Sequence, residues 1–246
     1  MVHEQRSLRV GFYVFFPGGG IGRYTHELMD AMNAHAGVEV EAICTPDYEW
    51  ADAKAYPVWA GLQRISDDIA LVRRMRFLIG QFVNPKRAIR HAVEKGLDVL
   101  HLSNINHFSF PFWRSAAVDA NLKIVASAHD VKRQKSILWR SWEDRQLKAF
   151  YRFADALFVH SQYRARELQS FANVRREKIH VVPHGPYPHG KVAESTSSLR
   201  SKWGLPEDRQ VALFFGQLRD EKNLDSFLRG AARVDVPLHV VVAGTV

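Results

Sequence analysis

One cysteine, Cys44, is all that these 246 residues offer to thiol chemistry. No disulfide can form within the chain, which fits a reducing compartment. Cys44 itself reads as a small buried apolar residue at a strand end. No apolar run is long enough to cross a bilayer, and Glu4 and Arg6 ahead of a short strand do not make a signal peptide. The expected location is the cytoplasm. Zinc-ligand spacings, Asp-x-Asp and His-Glu-x-x-His are all missing, so no metal site is expected. RNP-type strands and a helix-turn-helix pattern are missing as well, and nucleic acid is left with charge alone in its favour.

Negative charge is the other scarcity. Lys and Arg number 34 against 26 Asp and Glu, a net charge of +8. An excess of that size calls for an anionic partner: nucleic acid, an anionic membrane surface or a phosphorylated substrate. The basic residues cluster. Arg64, Arg73, Arg74, Arg76, Lys86, Arg87 and Arg90 fall in one helical region; Lys132, Arg133, Lys135, Arg140, Arg145, Lys148 and Arg152 fall in another. Hydrophobic content of 46% with 24% charged residues is that of a globular protein with a full core.

What is present is organised around Pro17-Gly18-Gly19-Gly20-Ile21-Gly22-Arg23-Tyr24. An apolar run, Val10 to Phe16, precedes it as a buried strand, and Tyr24, Leu28, Met29 and Met32 follow at the spacing of one helix face. Glycines let backbone N–H groups approach an anion, and a helix N-terminus adds partial positive charge. The same turn also serves to pack a helix closely on a sheet, and both readings stand at this point. It is not a Walker loop, because Gly22 is followed by Arg23 and Tyr24 instead of Lys-Ser/Thr. Nor is it a dinucleotide fingerprint: the last glycine is misplaced, and the second strand ends at Ile43-Cys44-Thr45 without an acid for a ribose.

Strands are predicted at 8–15, 38–44, 99–102, 124–127, 157–160 and 179–182. Helices are predicted at 22–35, 64–83, 85–95, 139–153 and 162–171. Alternation of this kind implies a doubly wound α/β sheet, whose ligands sit beyond the C-terminal strand ends. The turn after 124–127 carries Ala128-His129-Asp130. The stretch 64–83 has a wide apolar stripe, from Ile65 through Ile69, Val72 and Ile79 to Val83. It reads either as a helix packed on the sheet with solvated arginines or as a basic amphipathic face for anionic lipid. Prolines and glycines from Pro183 to Gly190, then Ser195-Thr196-Ser197-Ser198, suit a linker. A second unit follows: helix 199–203, strand 211–215, helix 223–233 and strand 238–242. Two parallel strands with so little cover leave that unit incomplete.

Five motifs, in this order, resemble family 4 of the glycosyltransferases. They are the loop Gly18–Tyr24, Ala128-His129-Asp130, the stretch Ala154 to Ser161, Val182-Pro183-His184-Gly185, and Phe215 to Asn223. The resemblance covers nearly the whole chain. It implies a GT-B fold of two Rossmann-like domains: an acceptor-side domain at 1–186, a linker at 187–198, and an incomplete nucleotide-sugar-binding domain at 199–246. It implies transfer of a hexose from a nucleotide-diphosphate sugar to a glycan or lipid-linked acceptor, with retention and without metal or other cofactor. Surface polysaccharide assembly, at the inner face of a membrane, is the expected setting.

The resemblance also assigns residues. Arg219 and Lys222 would hold the donor diphosphate from one side and Gly19, Gly20 and Gly22 from the other; otherwise the two cations are ordinary solvated loop charges. Gln217 stands where many relatives carry arginine, which shifts the cationic role onto Arg219. His129 would face the transferred sugar or the acceptor. Asp130 would orient His129, contact acceptor hydroxyls, or simply cap a turn. His184 would mark the crossing between domains, and Trp139 and Trp142 either face a sugar ring or pack in the core. The family's pair of donor-gripping glutamates is missing, since Glu221 is the last glutamate here. Donor binding by this chain is therefore expected to be weak, and a catalytically inactive acceptor-binding or membrane-docking module is the alternative.

Overall fold

Parallel pairing dominates, because short apolar strands alternate with helices long enough to cross back over the sheet. The computed structural model describes residues 6–16, 18–52, 55–132, 139–187 and 193–244. Pro17, Arg133, Lys135 and much of the linker stretch lie outside the described residues, as does the side chain of Glu221. The chain divides into two units, Met1–Tyr187 and Pro188–Val246.

In the first unit β1 (Leu8–Val14), β2 (Val38–Cys44), β3 (Val58–Trp59), β4 (Val99–Leu102), β5 (Lys123–Ser127), β6 (Ala156–Val159) and β7 (Ile179–Val181) form one sheet. Its order is β3-β2-β1-β4-β5-β6-β7, and the registered pairs between neighbours are parallel. The chain winds one way from β1 to β3 and the other way from β4 to β7, so the topological switch lies between β1 and β4. Strand alternation sets two cores. Val10, Phe12 and Val14 pack with Met29 of α1 (Gly19–Asn33) on one face. Tyr13 and Phe15 point to the other, where Leu100, Ile124 and Leu157 meet Trp113, Phe150 and Leu168. Those last three come from α3 (Phe110–Asp119), α4 (Arg140–Phe153) and α5 (Gln162–Ala172).

Three elements of this unit depart most from the sequence reading. The helices expected at 64–83 and 85–95 are one helix, α2 (Ala70–Lys95), with Pro85 inside it. An interior proline removes the bond to the carbonyl four residues back and costs about 3 kcal/mol or more. Here that carbonyl belongs to Gln81, and the Asn106 side chain donates to it at 3.0 Å. The orphan group is satisfied from outside the helix, so the helix runs on. It also starts six residues later than expected, because the Asp67 carboxylate accepts from the Ile69 N–H at 3.0 Å and arrests the first turn there. Finally, β3 and α3 were not anticipated. β3 has only two residues, and the Pro111 of α3 reads as a breaker, although proline is well tolerated in a first helical turn.

In the second unit β8 (Gln210–Phe215) pairs in parallel with β9 (Leu238–Ala243). They are flanked by α6 (Thr196–Lys202) and α7 (Leu224–Ala231). α6 begins inside the stretch read as linker, because Ser195 caps it by accepting from the Ser198 N–H. None of the described residues of this unit is buried, and Phe215 is 80% exposed. Two strands and two short helices do not enclose a core.

Candidate functional site

Four C-terminal strand ends of the first unit lead into one cluster. β1 runs into the glycine turn. Gly19 has φ +72, a conformation glycine adopts without strain, and nothing stands within 4 Å of where a Cβ would sit at Gly19 or Gly20. The start of α1 is therefore open at both positions, as an anion site requires. Gly22 differs. A Cβ there would meet the Trp50 ring at 2.9 Å, so its role is close packing. α1 also starts at Gly19, three residues before the expected Gly22, which puts Gly19 and Gly20 in its first turn. The Glu49 carboxylate lies against Gly18, and an anion bound at this turn has to share the space with it or displace it.

Behind the turn, Tyr24 of α1 is ringed by three histidines. Its ring centroid lies 4.9 Å from His129, 5.1 Å from His160 and 5.1 Å from His184. His129 follows β5, His160 follows β6, and His184 follows β7. The His129 Nδ1 and His160 Nε2 atoms are 3.0 Å apart, and His160 Nδ1 is 3.0 Å from the Val182 carbonyl oxygen. A carbonyl only accepts, so with both rings neutral His160 carries its proton on Nδ1 and presents a lone pair at Nε2. His129 then donates from Nδ1, and its Nε2 is a bare lone pair. That Nε2 is shielded from solvent and has no hydrogen-bond partner. Burial lowers the His129 pKa to about 4, with the neighbouring His160 and His184 adding to the shift against Asp130 and the Ser103 backbone. At neutral pH His129 is thus a neutral imidazole, with its Nε2 covered by the protein.

Asp130 acts on His129 by its charge and not through a hydrogen bond among the described residues. Its carboxylate instead faces Arg164 at 3.4 Å, a half-exposed pair worth at most about 1 kcal/mol. The orienting partner is His160, which sequence reasoning quoted within a motif and gave no role. Nothing in the spacing of residues 129 and 160 announces the pair. His101, in β4, lies beneath: fully buried, stacked on Phe12 at 4.6 Å and 2.9 Å from the Ser127 hydroxyl. Its pKa falls to about 3, mainly by burial.

The start of the crossing is tied to the glycine turn. The Tyr187 hydroxyl donates to the Gly20 carbonyl at 3.4 Å and lies 3.1 Å from His184 Nε2, while the Arg23 guanidinium sits 4.8 Å from the Tyr187 ring centroid. Trp139 is 76% exposed and Trp142 packs near Phe108, so the two do not form one platform. Among the described residues no group of three or more His, Cys, Asp or Glu is placed to hold a metal.

In the second unit the turn after β8 repeats the strand-glycine-helix pattern. Gly216 has φ +126, Asp220–Lys222 form a 3-10 turn, and Asn223 at φ +54 leads into α7. The Arg219 guanidinium donates to the Gln217 side-chain oxygen. Gln217 therefore steers the guanidinium.

The tautomer is directly testable. In histidine-selective ¹⁵N NMR near pH 7, His129 should show a protonated Nδ1 and an unprotonated Nε2. His160→Gln, whose amide can serve both neighbours, should keep that pattern and His160→Leu should lose it. A protonated Nε2 in the native chain would refute the assignment.

Residues 18–186 match the family described as Glycosyltransferase Family 4. No curated protein matches. Among solved structures, HepE of Anabaena in complex with UDP and glucose superposes with a TM-score of 0.67 at 15% identity, over 97% of this chain and 62% of HepE. A glycosyltransferase of Rickettsia africae gives 0.60 at 13% identity, over 96% and 68%. The lipopolysaccharide outer core galactosyltransferase WaaB gives 0.58 at 12%, over 96% and 60%. The chain thus spans about three fifths of the length of HepE and WaaB, and the likeness is one of fold.

Proposed function

This chain belongs to glycosyltransferase family 4, and on that premise we propose that the whole protein transfers a hexose from a nucleotide-sugar donor, with retention, to a glycan or lipid-linked acceptor. The observation that carries this reading is a neutral His129 set among the strand ends beside the start of α1, where Gly19 and Gly20 are uncovered. Departure of a nucleoside diphosphate puts negative charge on its oxygens, and fixed N–H donors and cations stabilise that charge as it grows. Gly19 and Gly20 at the start of α1 offer such donors; Gly22 contributes by letting α1 pack closely. Arg219 and Lys222 offer cations at the start of α7. His129 accepts a hydrogen bond from a sugar or acceptor hydroxyl, and Asp130 is left to contact the acceptor. The chemistry calls for no metal or other cofactor.

HepE structures hold UDP and UDP-glucose, which supports a uridine diphosphate donor. WaaB, by its name a lipopolysaccharide outer core enzyme, supports a role in surface polysaccharide assembly in the cytoplasm, beside the membrane. No described helix is long and apolar enough to cross a membrane, and attachment would be peripheral, through the basic face of α2.

The test is incubation of the whole protein with UDP-glucose or UDP-galactose and a lipid-linked saccharide acceptor, with product anomers read by NMR. Transfer with retained configuration is expected. His129→Ala should reduce it by about 10²-fold, the usual size for a lost acid–base group, while leaving UDP binding unchanged. Failure of the whole protein to bind UDP, or equal transfer by its His129→Ala variant, would defeat the reading.

A further inference from the structure

A groove opens at the topological switch of the sheet, and the position is informative in itself. In open α/β sheets, ligands bind outside the strand ends where the winding reverses. Here that point is flanked by Phe15 and Phe16 after β1 and by Asn104 to Asn106 after β4. The cavity measures about 620 Å³, within the usual range for small-molecule sites of about 300–1,000 Å³. Its walls are apolar: Phe15, Phe16, Phe77, Leu78, Phe82 and Phe108. Gly80 lets α2 come this close, since a Cβ there would stand 2.7 Å from Ile65.

The apolar surface does not end at the groove. Leu71, Met75, Leu78 and Phe82 of α2 and Phe112 of α3 are each at least 40% exposed. A patch of this kind on a chain of this size marks an interaction site. Its charge selects the occupant. Arg73 and Arg74 stand at the groove, and neither meets a carboxylate among the described residues. The nearby Asp67 carboxylate is already paired with Arg76 at 3.0 Å; Arg73 reaches only its backbone carbonyl. The first turn of α2 holds no acidic residue. Unpaired guanidinium groups beside an aromatic trough fit an amphiphile with an anionic head, and guanidinium binds phosphate oxygens well. An acidic peptide would leave the trough unfilled, and a neutral aromatic would leave the arginines unused.

The geometry points to a binding site for a long-chain alkyl or polyprenyl phosphate, with the chain along Phe16, Phe77 and Phe82 and the phosphate on Arg73 and Arg74. The inference rests on the transferase reading for its role, as the acceptor's carrier, and names that acceptor's chemical class. The groove opens after β1 and β4, and His129 follows β5, the neighbour of β4, so both lie at the C-terminal edge of the sheet. A chain lying in the groove therefore brings its phosphate end to the same edge of the sheet as the histidine.

The experiment is titration of the full chain, at low salt, with decyl phosphate below its micelle concentration. Decanol, inorganic phosphate, anionic vesicles and UDP are run beside it. Decyl phosphate should bind one to one and at least about tenfold tighter than decanol, with inorganic phosphate weaker than either. Arg73→Gln with Arg74→Gln should remove that advantage and leave decanol binding unchanged. Leu78→Asp, at a 57% exposed position of the same wall, should weaken both by tenfold or more while the chain stays folded. Equal affinity for decyl phosphate and decanol overturns the proposal. So does binding to anionic vesicles without binding to monomeric decyl phosphate, which would make the face a membrane-docking surface. Loss of decyl phosphate binding with UDP binding intact removes the groove and spares the transferase reading. Decyl phosphate binding with no sugar transfer by the whole protein does the opposite.

Discussion

Arg219→Ala and Lys222→Ala are each expected to lower sugar transfer by about 10²-fold or more, the typical cost of losing one donor that stabilises developing charge. The local structure explains the size. Gly216 takes a backbone conformation open to glycine, and at Gly244 a Cβ would stand 1.8 Å from the Gly216 carbonyl oxygen, so the ends of β8 and β9 close tightly under the turn. The turn then tightens into a 3-10 segment, with the Lys222 N–H donating to the Arg219 carbonyl at 2.9 Å. Both cations thus sit on a short, hydrogen-bonded rise at the start of α7, where helix partial charge adds to theirs. Removing either leaves the fold intact, since none of the described residues of this unit is buried. The readout is kcat with UDP-sugar donors on the whole protein, alongside UDP affinity. Near-normal turnover in both variants would remove the diphosphate role from this turn.

A second large effect concerns acid. His101 and His129 are held neutral in the fold, with pKa values lowered to about 3 and about 4 from an ordinary 6.5. Above pH 6.5 both are neutral folded or unfolded and contribute no pH dependence. Below it the unfolded chain binds protons that the native state refuses, so stability falls as pH drops from 6.5 toward 3. At 1.36 kcal/mol per pKa unit, His101 alone accounts for about 2 kcal/mol by pH 5 and roughly 4–5 kcal/mol by pH 3. Small domains have only about 5–15 kcal/mol in hand. The urea midpoint should therefore fall clearly between pH 7 and pH 5, and His101→Gln should flatten that slope. An unchanged midpoint, or the same slope in the variant, would show that His101 accepts its proton in the fold.

How much of this was legible in advance varies by element. β1 and β2 were readable because they are long and apolar, and their alternation survives whatever packs on them. α2 was misread at Pro85 because local rules assume the freed Gln81 carbonyl stays unpaired, and its partner, Asn106, lies 25 residues away. The apolar stripe of α2 was seen, but not which side of it would stay uncovered. The glycine turn was found from its residues, whereas its division of labour was not: Gly22 is spoken for by Trp50, a residue on the far side of β2 in the chain.

By itself the sequence determined the winding of the first unit and the thin cover of the second. These follow from local alternation and from glycine and proline, which act over a few residues. Only the tertiary structure decided that His129 hydrogen-bonds to His160 and not to Asp130, and that Phe16, Phe77 and Phe82 share one groove. Both depend on the order β3-β2-β1-β4-β5-β6-β7. That order brings residues far apart in the chain within hydrogen-bond or van der Waals reach, and no pattern along the chain records such distances.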